Sequence, residues 1–175
     1  MKLSDIKTGE TFKIAGIEFI KFSEEDGAVT VVAKDVLFDS AFGSNNNFAQ
    51  SEILKKLQAE VLPKIEAEVG AENVLEFETD LFSLDGSDVY GKIKTKISLP
   101  TLDFYRQNVK IFDKYKPNRW WWLSTPDSTE EHSNDSWILC VSPRGRINID
   151  YFHDSGSGVR PFLKFVSSIS VSCEE

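Results

Sequence analysis

Apolar residues near the start of the chain fall in short runs that are broken by turn signals. The runs within residues 12–22 surround the turn candidate Ala15-Gly16, and Glu24–Gly27 is typical of a hairpin turn because Asp-Gly accepts positive φ. Val29–Ala33 is short and β-branched, which favours a central strand. The pattern therefore predicts strands over residues 10–38.

One long helical periodicity follows these strands. Between residues 53 and 69, apolar positions recur at helical spacing, which predicts an amphipathic helix. Asn47 and Gln50 resemble a capping box at its start, and Gly70 suits its C-terminal end. Pro63 lies inside the pattern and predicts a kink or a split at the preceding residue.

The second half of the chain returns to strand patterns. Lys92–Ile97 alternates strictly, which predicts a strand with one solvated face. Thr101 is a suitable N-cap for a short helix that reaches about Phe112. Residues 136–141 and 147–152 predict a hairpin.

Val159–Phe165 is predicted to be the last strong strand, and neither a linker nor an internal repeat interrupts the chain. The order of elements predicts an α+β fold. We expect a single domain over residues 1–175, with its core within about residues 9–166 and a C-terminal tail over residues 167–175.

Composition supports a packed domain. The 175 residues are 41% hydrophobic and 12% aromatic, which argues against disorder. Two cysteines are too few for a disulfide framework; Cys140 lies in an apolar run that predicts a buried thiol, whereas Cys173 is expected to face solvent. The N-terminus lacks the apolar core of a signal peptide, and no apolar run approaches the roughly 20 residues that span a bilayer. The simplest expectation is a cytoplasmic location.

The net charge of −8 is unevenly distributed. The segment from residue 66 to residue 88 contains no lysine or arginine but has eight acids: Glu66, Glu68, Glu72, Glu76, Glu78, Asp80, Asp85 and Asp88. Such a field repels nucleic acids and acidic membranes and attracts basic protein surfaces. A solvated face that only aids solubility is the alternative. Lys92, Lys94 and Lys96 are predicted to pair with this segment.

The residues for catalysis are sparse. The two histidines, His132 and His153, lack the context of a nucleophilic enzyme, so we expect neither an enzyme nor a cofactor. Zinc or calcium binding is the alternative, with His132, Cys140, His153 and Asp154 as weak ligand candidates that only the fold would bring together. Gly156–Gly158 precedes no helix, so no phosphate loop is predicted.

Two motifs resemble those of an uncharacterised bacterial and phage domain family. Trp121–Pro126 (WWLSTP) resembles the WWLRSP motif of that family, and Gly158–Leu163 (GVRPFL) resembles its closing GVRPAL motif. Ile97–Thr101 and Ser51–Leu57 resemble upstream segments, so the resemblance covers about residues 9–165. The family is similar to the C-type-lectin-like and formylglycine-generating-enzyme fold. This resemblance implies a compact, twisted antiparallel sheet with one or two packed helices.

The chain also departs from these relatives. Ser124 stands where the first motif usually has arginine, and no glutamate-proline-asparagine calcium signature follows Asn134-Asp135. The paired cysteines of the oxidase relatives cannot be placed on Cys140 and Cys173. The resemblance therefore implies a binding scaffold, without support for lectin-type sugar binding or formylglycine chemistry.

The aromatic motif contains the second set of candidate contact residues. In a strand, Trp121 points to one face while Trp120 and Trp122 point to the other. Trp121 and Trp122 are predicted to pack in the core, whereas Trp120 and its neighbour Arg119 are candidates for a binding contact. Arg160 is predicted to satisfy loop carbonyls or an acid.

Together these features predict a non-catalytic protein-binding module whose partner is a basic protein surface. Its sharper form is a phage-encoded inhibitor of the anti-CRISPR type, which blocks a host nucleic-acid-binding enzyme such as a nuclease by presenting carboxylates in place of phosphates. The alternatives are a lectin-like ligand-binding module, with loops around Asn45–Asn47 and Glu130–Asp135, and a small metal-binding protein. Direct binding to nucleic acid or membrane is not expected.

Overall fold

A computed structural model describes residues 1–172. Its strands are β1 (Thr11–Ile14), β2 (Ile17–Glu25), β3 (Ala28–Ala33), β4 (Phe38–Asp39), β5 (Phe77–Asp80), β6 (Lys92–Thr95), β7 (Trp121–Pro126), β8 (Trp137–Val141), β9 (Ile147–Tyr151), β10 (Gly158–Val159) and β11 (Phe162–Val166). Its α-helices are α1 (Glu52–Lys56), α2 (Leu62–Val69), α3 (Leu102–Gln107) and α4 (Val109–Lys114).

Two sheets form the body of the protein. A four-stranded antiparallel sheet has the order β1-β2-β3-β11, and a five-stranded sheet has the order β4-β10-β7-β8-β9, in which β10 runs parallel to β7. β5 and β6 form a third, two-stranded antiparallel sheet. The expected mixed α+β class with curled and mostly antiparallel sheets is confirmed, but the described residues form three sheets and four α-helices, where one twisted sheet with one or two helices was expected.

The N-terminal hairpins follow from their turn residues. Ala15-Gly16 joins β1 to β2, and Asp26-Gly27 joins β2 to β3, with positive φ at all of these residues. A turn with two successive positive φ angles matches the twist of the strands that it connects. The prediction of strands and hairpin turns in this region is confirmed.

The central strands β2, β3, β7 and β8 bury both of their faces over most of their length, and this creates two cores. Because side chains alternate along a strand, Trp122 enters the first core with Ile53 and Leu57, whereas Trp121 enters the second core with Tyr105 and Phe112. The first core therefore lies under α1 and α2, and the second lies under α3 and α4. Trp121 and Trp122 are both fully buried, as predicted.

Arg160 lies where the chain passes from the five-stranded sheet to the four-stranded sheet. Its Nε donates to the carbonyl oxygen of Ala33 at 3.0 Å, and its Nη2 donates to that of Lys34 at 2.9 Å. The guanidinium carbon lies 4.6 Å from the ring centre of Trp121. Burial lowers the pKa of Arg160 to about 10, which leaves the side chain charged at neutral pH. The predicted structural role of this arginine is confirmed.

Close approach also explains the glycine that opens the same motif. The N–H of Gly158 donates to the carbonyl oxygen of Trp120 at 2.8 Å. A Cβ at position 158 would lie 2.4 Å from Cγ1 of Val36, so that no larger residue fits without displacing the loop. The two sequence motifs therefore contact each other through both backbone and side chain.

The predicted long helix is divided into segments. Ser51 caps α1 by accepting from the N–H of Leu54 at 3.0 Å, while Asn47 caps only a preceding 3₁₀ turn. A π-helical stretch over Leu57–Val61 separates α1 from α2 immediately before Pro63, which supplies no N–H to an α-helical ladder. The break predicted near this proline is confirmed, whereas the cap of the main helix is Ser51 and not Asn47.

The second helical region is also divided. Thr101 accepts from the N–H of Phe104 at 3.1 Å, as its predicted N-cap role requires. The helix ends at Gln107, and α4 begins after Asn108, whose φ and ψ of −121° and 20° are not helical. None of the helices within residues 1–172 is long and apolar enough to cross a membrane.

The core extends beyond residues 9–166 at both ends. Leu3 and Ile6 are buried in the first core, and so are Ile169 and Val171. The N–H of Leu3 donates to the carbonyl oxygen of Ile169 at 2.9 Å, which fastens the two ends of the described chain to each other. Cys173 lies outside the described residues.

Replacing Arg160 with methionine is expected to destabilise the fold by about 3 kcal/mol, because the carbonyl of Ala33 would be left buried, and that of Lys34 partly buried, without the donor. Urea unfolding followed by tryptophan fluorescence measures the change. The control is Arg144→Met, since Arg144 is exposed in a turn and should change stability by less than about 0.5 kcal/mol. Equal effects of the two substitutions would contradict the role assigned to Arg160.

Candidate protein-binding surface

The predicted acidic segment occupies several elements of structure. Glu66 and Glu68 lie on α2, and Glu72 lies in the 3₁₀ turn that follows it. Glu76 precedes β5, and Glu78 and Asp80 lie on the exposed side of that strand. Asp85 and Asp88 lie in the loop between β5 and β6. The segment is therefore not one continuous face.

Several carboxylates in the first part of the segment already have partners. Nζ of Lys96 lies 2.8 Å from Glu66, and Nζ of Lys92 lies 3.4 Å from Glu78. Glu68 accepts from the N–H of Ala15 at 2.8 Å. The expected pairing with the acidic segment is present for Lys92 and Lys96, though not for Lys94 within residues 1–172, and it neutralises part of the field that the sequence predicted.

The second part of the segment meets another acidic loop. The hydroxyls of Ser87 and Thr129 are 2.8 Å apart, and Ser87 also donates to Glu131 at 2.8 Å. Ser128 donates to Asp85 at 2.6 Å. These bonds join residues 83–90 to residues 127–135, which we call the acidic loop pair.

The acidic loop pair has a high density of negative charge. It contains no lysine or arginine, and its carboxylates are Asp85, Asp88, Asp127, Glu130, Glu131 and Asp135. All of these residues except the half-buried Asp127 are exposed. Only His132 is available to offset them from within the two loops. The structure thus concentrates charge from two distant parts of the sequence.

A buried amide holds the two loops to the body of the protein. Nδ2 of Asn46 donates to the carbonyl oxygens of Ser128 and Trp137 at 2.9 and 3.0 Å, and its Oδ1 accepts from the hydroxyl of Tyr90 at 2.7 Å. Asn46 is fully buried. The loops around Asn45–Asn47 and Glu130–Asp135 therefore do meet, but the central asparagine serves as a structural clamp.

Asp85 and His132 form the main ion pair of the acidic loop pair. Hydrogen bonds from Ser128, Ser83 and His132 hold the pKa of Asp85 well below its usual range. The hydrogen bond and charge of Asp85 raise the pKa of His132 in turn, across a distance of 2.8 Å between Nδ1 and Oδ2. Burial and the nearby Asp85 raise the pKa of Asp127.

Ser128, His132 and Asp85 contact one another, but their geometry is not that of a hydrolase. Both Ser128 and Asp85 approach Nδ1 of His132, at 3.4 and 2.8 Å, and the serine donates to the aspartate. A catalytic histidine instead contacts the acid and the nucleophile through different nitrogens. The cluster therefore fastens the loops without activating Ser128.

Exposed apolar side chains accompany the charges. Phe82, Leu84 and Val89 are 42%, 53% and 47% exposed, in the same stretch of chain as Asp85 and Asp88. Apolar groups surrounded by charged ones are the usual arrangement of a protein interface. The surface therefore combines charged and apolar side chains.

Arg119 and Trp120 lie away from the acidic loop pair. Arg119 forms an ion pair with Asp39, so its charge is already neutralised. Trp120 is 41% exposed and borders a cleft of about 320 Å³ that Asn148, Asp150 and Asp154 also line. The predicted exposure of Trp120 is confirmed, whereas its joint role with Arg119 stays a prediction.

The four weak metal-ligand candidates do not form a ligand group. His132 pairs with Asp85, and the ring of His153 lies 4.1 Å from that of Phe152. Burial raises the pKa of Cys140 to about 12, and Asp154 accepts from the N–H of Gly156 at 2.7 Å. Within residues 1–172, no group of three or more His, Cys, Asp or Glu side chains is arranged to hold a metal ion.

The sequence prediction missed the contribution of residues 127–135. The signal was present, because this stretch has four acids and no lysine or arginine. Along the chain the stretch is a polar connection between two strands, and nothing in the sequence indicates that it lies beside residues 83–90.

Comparisons with known proteins do not assign the chain to a family. No family model matches the chain, and no curated protein or solved structure matches it. The resemblance of its two motifs to the bacterial and phage domain family therefore stays a prediction.

The pKa of His132 is expected to exceed the ordinary histidine value of about 6.5 in a titration followed by NMR, because Asp85 stabilises the protonated ring. Asp85→Asn should lower it. The matched control is Asp88→Asn, which removes a neighbouring carboxylate that makes no hydrogen bond to His132. A pKa that responds equally to both substitutions would contradict the pairing.

The stability of the protein should follow the same pair. Since the folded pKa of His132 is raised, its contribution is complete below about pH 6.5 and is lost as the pH rises through the folded value. Asp85→Asn should therefore destabilise the protein more at about pH 6 than at about pH 9. Urea unfolding at the two pH values makes the comparison, and an effect independent of pH would contradict this prediction.

Proposed function

We propose that this protein is a non-catalytic binding module that acts in the cytoplasm and docks a basic protein surface on its acidic loop pair. The observation that carries the proposal is the union of residues 83–90 with residues 127–135, since it creates a rigid surface of six carboxylates without a lysine or arginine. Side chains held by hydrogen bonds lose less freedom when a partner binds.

The chemistry of this surface favours a protein as the partner. Carboxylates repel phosphate groups, and a nucleic acid would need the cations that the loops lack. The exposed Phe82, Leu84 and Val89 give a partner apolar contacts in addition to charge. An electrostatic field of one sign also accelerates the encounter with a basic surface.

The finer form of the proposal concerns the identity of the partner. A basic channel that normally binds nucleic acid presents cations at the spacing of phosphates, and clustered carboxylates can occupy it. We therefore extend the proposal to a phage-encoded inhibitor of a host nucleic-acid-binding enzyme such as a nuclease. The curled antiparallel sheets with irregular loops suit the C-type-lectin-like scaffold that the two motifs suggest.

The test compares two sets of charge reversals with the same change in net charge. Asp88→Lys with Glu130→Lys alters the acidic loop pair, and Glu72→Lys with Glu76→Lys alters the upstream part of the segment. These are exposed side chains, so neither pair should unfold the protein. Host proteins that the wild-type chain retains from a lysate are identified and purified. The affinity of each for the wild-type chain and for the two variants is then measured.

The loop-pair variant is expected to bind the purified partner at least about tenfold more weakly at 0.1 M salt, with most of the loss in the association rate. The upstream variant should bind almost as wild type does. The difference should shrink at about 1 M salt, where the screening length falls to about 3 Å.

Two outcomes would count against the proposal. If both variants bind as wild type does, the acidic loop pair is not the docking surface. Duplex DNA is also added as a competitor for the purified partner. If the partner binds through the acidic loop pair but DNA does not displace it, the module docks a site other than a nucleic-acid channel, and the proposal of a nuclease-type inhibitor fails.

A further inference from the structure

β9 is an exposed edge of the five-stranded sheet, unlike the other edges of the two large sheets in residues 1–172. β4 has only two residues, β1 is bridged by Ser172, and β11 is bridged by Val74 and Ser98 on its outer side. β9 has five residues, and no strand of the described chain lies beyond it. Proteins usually protect such an edge with a bulge, a proline or a lysine, and β9 has none of these.

The free backbone groups of β9 can be assigned from its pairing with β8. The N–H of Ser142 donates to the carbonyl oxygen of Arg146, and the N–H of Phe152 donates to that of Ser136. Because bonding alternates along an antiparallel pair, the even-numbered residues of β9 are the ones whose backbone groups bond to β8. Ile147 and Ile149 therefore direct their N–H and C=O groups outward. The backbone groups of Tyr151 also point outward, but its N–H donates to the side-chain oxygen Oδ1 of its neighbour Asp150 at 2.8 Å.

We infer that β9 pairs with the β9 strand of a second copy of this chain, antiparallel and with Asn148 on the two-fold axis. In this register, Ile147 of one copy lies opposite Ile149 of the other. Each such pair exchanges two hydrogen bonds, so all outward backbone groups of Ile147 and Ile149 are satisfied in both copies.

The same register matches the side chains on one face of the strand. Arg146 of each copy lies opposite Asp150 of the other, because the register that pairs Ile147 with Ile149 also pairs positions 146 and 150. Within residues 1–172 the guanidinium of Arg146 has no carboxylate partner. Burial and the nearby Asp154 raise the pKa of Asp150, so a cation would relieve an unfavourable environment.

The opposite face adds apolar contact. Ile147, Ile149 and Tyr151 are 37%, 45% and 38% exposed, next to Trp137 at 38%. Pairing of two β9 strands would place the isoleucines of the two copies side by side, and would join the two exposed patches. Self-complementarity in hydrogen bonds, charge and apolar area is what a two-fold interface requires, and it favours a second copy over an unrelated strand.

Sedimentation velocity of the full chain from about 5 µM to about 1 mM tests this inference. Wild type is expected to shift from the 19.8 kDa chain toward twice that mass as concentration rises. Hydrogen exchange should show that the amides of Ile147 and Ile149 become protected over the same range. Both measurements are independent of the acidic loop pair.

Charge exchange tests the register. Arg146→Asp and Asp150→Arg, each alone, place like charges opposite each other and should weaken self-association at least about tenfold. An equimolar mixture of the two variants should form heterodimers, because positions 146 and 150 are then both acidic in one copy and both basic in the other. The matched control is Arg144→Asp, whose position lies outside the paired residues and which should dimerise as wild type does.

Recovery on mixing also excludes misfolding as the cause of the loss in the single variants. A wild-type chain that stays monomeric at every concentration would overturn the inference, as would dimers that Arg146→Asp leaves intact. Dimers that the single variants weaken but that mixing does not restore would overturn the proposed register. Binding of β9 to a different protein would appear as protection of Ile147 and Ile149 only in the presence of that protein.

Discussion

The contact of Arg160 with Trp121 and with the carbonyls of Ala33 and Lys34 is the constraint on which the rest of the structure depends. It lies at the point where the chain leaves one sheet and enters the other. A buried guanidinium needs hydrogen-bond partners and a soft aromatic surface, and this site supplies both. The chain also passes between the sheets after β3, at residues 34–37, so Arg160 ties two crossings together and helps to fix the relative position of the two sheets and of both cores.

The two cores determine where irregular structure is possible. The central strands are buried on both faces, so much of the irregular, solvent-facing structure lies in the long connections after β5 and β7. Those two connections are fastened to each other by the Ser87 and Ser128 hydrogen bonds and to the sheet by Asn46. A rigid scaffold with a polar, clamped loop surface is the arrangement that the proposed recognition of another macromolecule would use.

The two surfaces that we propose as binding sites differ in chemistry. The acidic loop pair offers a field of one sign, which attracts an unlike surface and repels its own kind. The β9 edge offers donors matched to acceptors and Arg146 matched to Asp150, which is a self-complementary arrangement. Two copies joined at β9 would present two acidic loop pairs, so that dimerisation would increase the avidity of the module for a partner with repeated basic sites.

Local patterns in the sequence determined much of the fold. Local sequence explains four features: the turn at Asp26-Gly27, the cap at Thr101, the break before Pro63 and the opposite directions of Trp121 and Trp122. Each depends on neighbours within a few positions, so it is visible along the chain. Part of the site was visible in the same way, since Asp85 and Asp88 belong to a run of acids.

Only the tertiary structure decided which charges remain unpaired. Glu66 is neutralised by Lys96 and Glu78 by Lys92, while residues 127–135 join Asp85 and Asp88 across more than forty positions of sequence. The free edge at β9 was equally hidden, because the order of strands in a sheet is set by long-range packing. Electrostatic interactions depend on distances in space, and a sequence specifies those distances only after the chain has folded.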